Sequence, residues 1–146
     1  MESIVLYVLD TDHVSLFQRD HPRVVARIRE KSPEQLAVAV ITIEEQLRGR
    51  LAQIKRAAQK SSSPEALIKA FQELKETVRY FSSVYVLDFN AAAVAQFGHF
   101  HQQKIRIGVQ DLRIAAIVLA TDSILVTRNR RDFERIPGLK IEDWST

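Results

Sequence analysis

Nine residues, Leu112 to Ala120 (LRIAAIVLA), constrain the fold more than any other stretch of the chain. Ile114, Ala115, Ile117, Val118 and Leu119 leave a helix here almost no solvent face, so it must pack between a sheet and other helices. Asp111 stands immediately before it. Thr121, Asp122 and Ser123 stop it, and Ile124, Leu125 and Val126 then read as a short buried strand. Thr127 to Asp132 (TRNRRD) follows as a polar loop or first helical turn. A buried strand that ends in a polar cluster puts that cluster at a sheet edge, where ligands bind in open α/β sheets.

The remainder of the chain repeats the pattern. Ile4 to Leu9 is a continuous apolar run suited to a central parallel strand, ending in Asp10-Thr11-Asp12 and a short helix from His13 to Arg19. His21-Pro22 opens a second helix with Val24, Val25 and Ile28 facing inward, and Ser32-Pro33 ends it. Leu36 to Val40 is the next strand. Thr42 begins a helix with Glu45 three residues on, the spacing of a capping box. Ile43, Leu47, Leu51, Ile54 and Ala58 make one apolar stripe, and after Ser61-Ser62-Ser63-Pro64 a second follows: Leu67, Phe71, Leu74, Val78 and Phe81. The pair predicts a projecting antiparallel helical hairpin. Val84 to Leu87 reads as a strand, and Asp88 or Asn90 caps a helix from Ala91 to about Lys104. Ile136-Pro137-Gly138 turns the chain into a last strand, Leu139 to Ile141. Strands alternating with helices predict a three-layer α/β fold with a mainly parallel central sheet, in one domain spanning 1–146.

Composition narrows the chemistry. There is no cysteine, which excludes disulfides, thiolate nucleophiles and zinc-thiolate sites and fits a reducing cytoplasm. No apolar run approaches the roughly 20 residues of a membrane span, and the first residues lack a basic segment leading into a long apolar one. The net charge of +3 is modest; its distribution matters more. Arg128, Arg130 and Arg131 lie beside the polar cluster, and Arg48, Arg50, Lys55 and Arg56 crowd one helix.

Each acidic candidate falls on one rim of such a sheet: Asp10 after the first strand, Glu45 in the helix after the second, Asp111 at a late helix, and Asn129 with Asp132 after the next strand. Capping accounts for any one of them, since Asp10 or Asp12, Asp111, and Thr42 with Glu45 all sit where helices start. It does not account for their shared location. Three carboxylates in one groove repel unless a divalent cation neutralises them, and an all-oxygen set suits Mg²⁺ or Mn²⁺ rather than zinc. His99 and His101 are two apart on a helix and belong to surface or packing, and His13 makes a local polar contact.

VLDTD at 8–12, ITIEEQLRG at 41–49, DLRIAA at 111–116, LVTRNRRDF at 125–133 and IPGLKIEDW at 136–144 together resemble the PIN-domain ribonucleases, specifically the VapC toxins of type II toxin–antitoxin systems. The resemblance implies that Asp10, Glu45 and Asp111 form the family's acidic triad, with Asp10 and Asp111 as direct Mg²⁺ ligands and Glu45 rather than Glu44 as the third acid. It places Asn129 where many relatives have a fourth acid, with Asp132 either substituting or capping the next turn. Thr127 would bond a ligated carboxylate or phosphate, Arg128, Arg130 and Arg131 would meet the RNA backbone, and Asp12 would support the ligands. The implied activity is endonucleolytic RNA cleavage by in-line attack of water, leaving a 5′-phosphate, in a cytoplasmic homodimer silenced by a VapB-type antitoxin. Two other readings stand beside it. One is an inert RNA- or partner-binding domain, favoured by Asn129. The other is a haloacid-dehalogenase-type phosphatase, for which Asp10-Thr11-Asp12 supplies a D-x-D start but no lysine lies between Lys104 and Lys140.

Overall fold

The computed structural model describes residues 4–59 and 63–146. Strands β1 (Tyr7–Leu9), β2 (Leu36–Ala39), β3 (Tyr85–Leu87), β4 (Ile124–Val126) and β5 (Lys140–Glu142) form one sheet, ordered β3-β2-β1-β4-β5, and every pairing is parallel. Around it lie α1 (Thr11–Gln18), α2 (Pro22–Arg29), α3 (Val40–Ala57), α4 (Pro64–Ser82), α5 (Ala91–Gln102), α6 (Val109–Ala120) and the single turn α7 (Arg130–Phe133).

Strand residues alternate between two cores, as a pleated sheet covered on both faces requires. Val8, Ala37 and Leu125 pack with Phe100 of α5 and Ile114, Ile117 and Val118 of α6. Leu9, Val38 and Val126 pack on the other side with Val14 of α1, Phe81 of α4 and Trp144. These are the three layers the alternation of elements predicts. α6 is buried from Leu112 through Val118 except for Arg113, in keeping with its lack of a polar face.

Sheet order positions the site. From β1 the chain moves outward through β2 to β3 and later returns to β4 on β1's other flank, so the direction of winding reverses between β1 and β4. The Asp10 amide donates to Val126 O at 3.0 Å, joining the two strand ends at that point. Such a reversal leaves a crevice at the carboxyl ends of the strands.

Four expectations need correction. Ile4 and Val5 are exposed and only Tyr7–Leu9 pairs, because β2 and β4 offer partners in register only from Leu36 and Ile124 onward. α3 begins at Val40 with Ala39 as a cap lacking any side-chain bond, so Thr42 is its third residue and Glu45 its sixth. The capping box is therefore not formed; β2 runs straight into the helix, and burial of Ile41 and Thr42 draws that first turn under the sheet edge. In the hairpin, whose expected linker residues Ser61 and Ser62 lie outside the described residues, α4 buries Ala70, Thr77 and Phe81. Phe71 and Val78 stay about half exposed, as does Leu51 of α3. The seam is set by polar contacts instead: Arg50 Nε donates to Thr77 Oγ1 at 2.9 Å and Gln53 Nε2 to Glu73 Oε2 at 2.7 Å. Finally, Arg50 is committed to that seam and Arg48 pairs with Glu44 at 2.9 Å, so the basic face of α3 is partly neutralised from within.

Candidate active site

Asp10 leaves β1 as the N-cap of α1, its Oδ1 accepting the His13 amide at 2.7 Å. The capping reading of this residue is thus correct and yet incomplete, since one oxygen does the capping. The carboxyl is almost fully buried at the end of the sheet. The next residue, Thr11, donates its hydroxyl to Glu45 Oε1 at 2.6 Å and lies 3.1 Å from the buried Thr42 hydroxyl. Glu45 is therefore aimed at the end of β1. Gln46 beside it locks α3 to α1, donating to Ser15 Oγ at 3.1 Å and accepting from Gln18 Nε2 at 3.1 Å.

Asp111 occupies the third position of α6, whose N-cap, Gly108, supplies no side chain. Its carboxyl is pushed up from 3.8 to about 6, first by burial and then by the charges of Glu45, Asp10 and Asp132. No hydrogen bond or cation is among the causes. The charges of acids at the end of β1, on α3 and on α7 thus reach Asp111 of α6.

Glu44 and Glu45 have different surroundings. Glu44 is turned outward, where Gln110 Nε2 donates to it at 2.6 Å and Arg48 pairs with it. The Gln110 hydrogen bond, together with the Arg48 and Arg113 charges, holds its carboxyl below the usual range despite some desolvation. That outward bond ties α3 to α6 and so holds the Glu45 and Asp111 turns side by side. Nothing in the spacing of Gln110 announces this role.

After β4, Asn129 caps α7 by accepting the Asp132 amide at 3.4 Å, and its own amide donates to Asp132 Oδ2 at 3.1 Å. Asp132 is the acid whose charge reaches Asp111; Asn129 orients it. Thr127 is fully buried, and its Oγ1 accepts the Asn129 amide at 3.0 Å. By that bond it supports the loop after β4. Arg128, itself half-exposed, forks onto Asp12 with Nε and Nη2 at 2.6 and 2.9 Å, and Arg130 and Arg131 stand exposed beside it.

Among the described residues, the trio with ligand atoms within 4.8 Å of one another is Asp10, Asp12 and His13. Two of its members are already satisfied: Asp12 by the Arg128 fork, and His13 at both ring nitrogens, by Asp10 and the Trp144 amide. Of the neighbouring acids, Asp111 has the raised carboxyl, and the charges acting on it are those of Glu45, Asp10 and Asp132. A hard divalent cation suits an all-oxygen set of this kind, because its charge opposes the carboxylate repulsion that adds to burial in raising Asp111.

The chain was compared with known proteins. A model of the PIN domain matches residues 7–139. The tRNA(fMet)-specific endonuclease VapC of Shigella flexneri is 28% identical over 143 residues, covering 95% of this chain and 98% of that protein. Ribonuclease VapC2 of Haemophilus influenzae is 28% identical over 142 residues, covering 94% and 97%. Among solved structures, DNA-bound VapBC from Salmonella typhimurium superposes with a TM-score of 0.75 at 23% identity, covering 97% of this chain and 99% of that one. VapBC-1 from nontypeable Haemophilus influenzae gives 0.76 at 24%, covering 97% and 100%. With the parallel sheet, the acid-lined mouth and a family match over most of its length, the chain belongs to the PIN-domain family.

Proposed function

We propose that this chain is the toxin of a type II toxin–antitoxin pair: a Mg²⁺- or Mn²⁺-dependent endoribonuclease that hydrolyses RNA phosphodiester bonds. The observation that carries the reading is that the charges of Glu45, Asp10 and Asp132, from three other elements, all reach the half-buried Asp111. The names of the VapC relatives, similar over nearly the whole chain, support it. Asp10 and Asp111 would hold the cation, with Glu45 beside them. When bound, a hard cation stabilises charge on the scissile phosphate and acidifies a water. Glu45 keeps Oε1 on the Thr11 hydroxyl, which leaves Oε2 to orient that water and take its proton. Oxygen from water bonds to phosphorus, the bond to the 3′ oxygen breaks, and the products carry 5′-phosphate and 3′-hydroxyl ends. Arg130 and Arg131 hold the RNA backbone by charge, and Asn129 fixes Asp132.

Neither alternative keeps its footing. Asn129, the one residue that favoured an inert domain, is accounted for as the cap of α7. Asp10 and Asp12 do not stand as the nucleophile and acid of a phosphatase, since Asp12 is held by Arg128. Residues 1–146 act as one domain in this proposal, in the cytoplasm, as a homodimer regulated by a VapB-type antitoxin; among the described residues no helix is long and apolar enough to cross a membrane. The test is cleavage of single-stranded RNA by the purified chain. Mg²⁺ should support it, EDTA should stop it, and the new 5′ ends should be phosphorylated. Cleavage that persists in EDTA would refute the proposal.

Two variants refine it. Glu45→Gln should lower cleavage by about 10²-fold, the usual range for a lost general base. Because Glu45 lies a full turn beyond the cap, urea unfolding should move by less than about 0.5 kcal/mol. A large loss of helix would show that the residue is structural after all. Arg130→Ala with Arg131→Ala should reduce the salt dependence of RNA binding by roughly 1.4 in log–log slope, about 0.7 per phosphate contact. An unchanged slope would take both arginines off the substrate path.

A further inference from the structure

His13 is fully buried one turn after Asp10, and its ring bridges that aspartate to the C-terminal segment. Nδ1 lies 3.2 Å from Asp10 Oδ1, the oxygen that also takes the His13 amide. Nε2 lies 3.2 Å from the main-chain nitrogen of Trp144. A main-chain N–H can only donate, so Nε2 must present its lone pair and the ring proton must sit on Nδ1. Asp143 Oδ1 does not compete for it: at 3.6 Å from Nε2 it is beyond hydrogen-bond range, and it already accepts from Ser145 N and Oγ at 2.8 and 2.6 Å.

Trp144 is a firm anchor for this arrangement. Its ring is fully buried, tilted against Tyr7 at 5.2 Å, with Nε1 donating to Glu142 at 2.9 Å. Arg27 and Lys31 of the α2 region lie over the same ring. The segment Glu142 to Trp144 thus fixes the histidine, and the histidine fixes the aspartate.

We propose that His13 is a positioning residue for Asp10, held by the Trp144 main chain in the Nδ1–H tautomer so that Oδ1 takes two hydrogen bonds and Oδ2 is the oxygen offered to the cation. This rests on the reading of Asp10 as a ligand. Partners that orient a ligating side chain typically change metal affinity by about 10- to 100-fold when removed.

Two amide substitutions separate the ring's two ends. The Asn amide nitrogen falls near Nδ1 and keeps the donor to Asp10 while losing the acceptor for Trp144. The Gln amide falls near Nε2, accepts the Trp144 amide and loses the donor. Mn²⁺ binding by calorimetry should therefore fall by at least roughly tenfold in His13→Gln and by less than about threefold in His13→Asn. The order of thermal stability should be the reverse. In the metal-free wild-type chain, ¹⁵N NMR of the imidazole should show the proton on Nδ1. A proton on Nε2, or equal Mn²⁺ affinity in the two variants, would overturn the proposal. No Mn²⁺ binding by the wild-type chain would instead overturn the reading of Asp10 as a ligand, and this consequence with it.

Discussion

Replacing Asp111 with asparagine is expected to abolish RNA cleavage and, at the same time, to make the metal-free protein more stable. The activity loss follows from removing a charged ligand. Metal-bound stabilisation of phosphate charge contributes several kcal/mol, so cleavage should fall by about 10³-fold or more. The stability gain follows from the raised carboxyl. Folding takes Asp111 from the ordinary 3.8 to about 6, so the folded state holds its proton more tightly than the unfolded chain does. The penalty is absent below 3.8, develops through that window and is complete above about 6. A shift of this size corresponds to about 3 kcal/mol at 1.36 kcal/mol per unit; the carboxyl is only half-buried, and solvent screening reduces this to about 1 kcal/mol. Urea unfolding in EDTA should show Asp111→Asn gaining about that much above pH 6, with the gain disappearing near pH 4. A destabilised variant above pH 6 would mean that Asp111 is a helix-starting residue and the site is elsewhere.

Asp10 should behave differently, because it has two duties. Asp10→Asn keeps a good N-cap for α1, since an asparagine oxygen still accepts the His13 amide, but it loses the charge. Cleavage should again drop by about 10³-fold or more, with unfolding changed by less than about 0.5 kcal/mol. Asp10→Ala should be equally inactive and lose about a further 1 kcal/mol, the usual worth of a lost cap. Equal stability of the two variants would show that the cap contributes nothing, and full activity in Asp10→Asn would remove the residue from the chemistry.

The sequence exposes the layers and the location of the acids because both are carried by local pattern. α6 has no polar face, so it can only be interior; Asp10 directly follows β1, Asp111 and Asp132 lie in the first turns of α6 and α7, and Glu45 lies in the second turn of α3. Where reading from the chain falls short, the missing information is three-dimensional. The Thr42 and Glu45 spacing matches a capping box, but the helix starts at Val40, because burial of Ile41 and Thr42 outweighs a cap worth about 1 kcal/mol. Phe71 and Val78 have the right period for an inner stripe, but they stay half exposed while Thr77 and Glu73 make polar contacts with α3. Thr127 and Arg128 have the composition of phosphate ligands, and their bonds to Asn129 and Asp12 appear only in the fold. The contact between Trp144 and His13, which carries the link to Asp10, joins residues 131 apart in sequence, and no periodicity reports such a contact.

If these distant acids form one binding site, a cation there can be located directly. Crystals of the chain soaked in MnCl₂ should give an anomalous peak bounded by the carboxylates of Asp10 and Asp111, with Glu45 alongside. A peak among Asp10, Asp12 and His13 instead, or none at a concentration that supports cleavage, would contradict it.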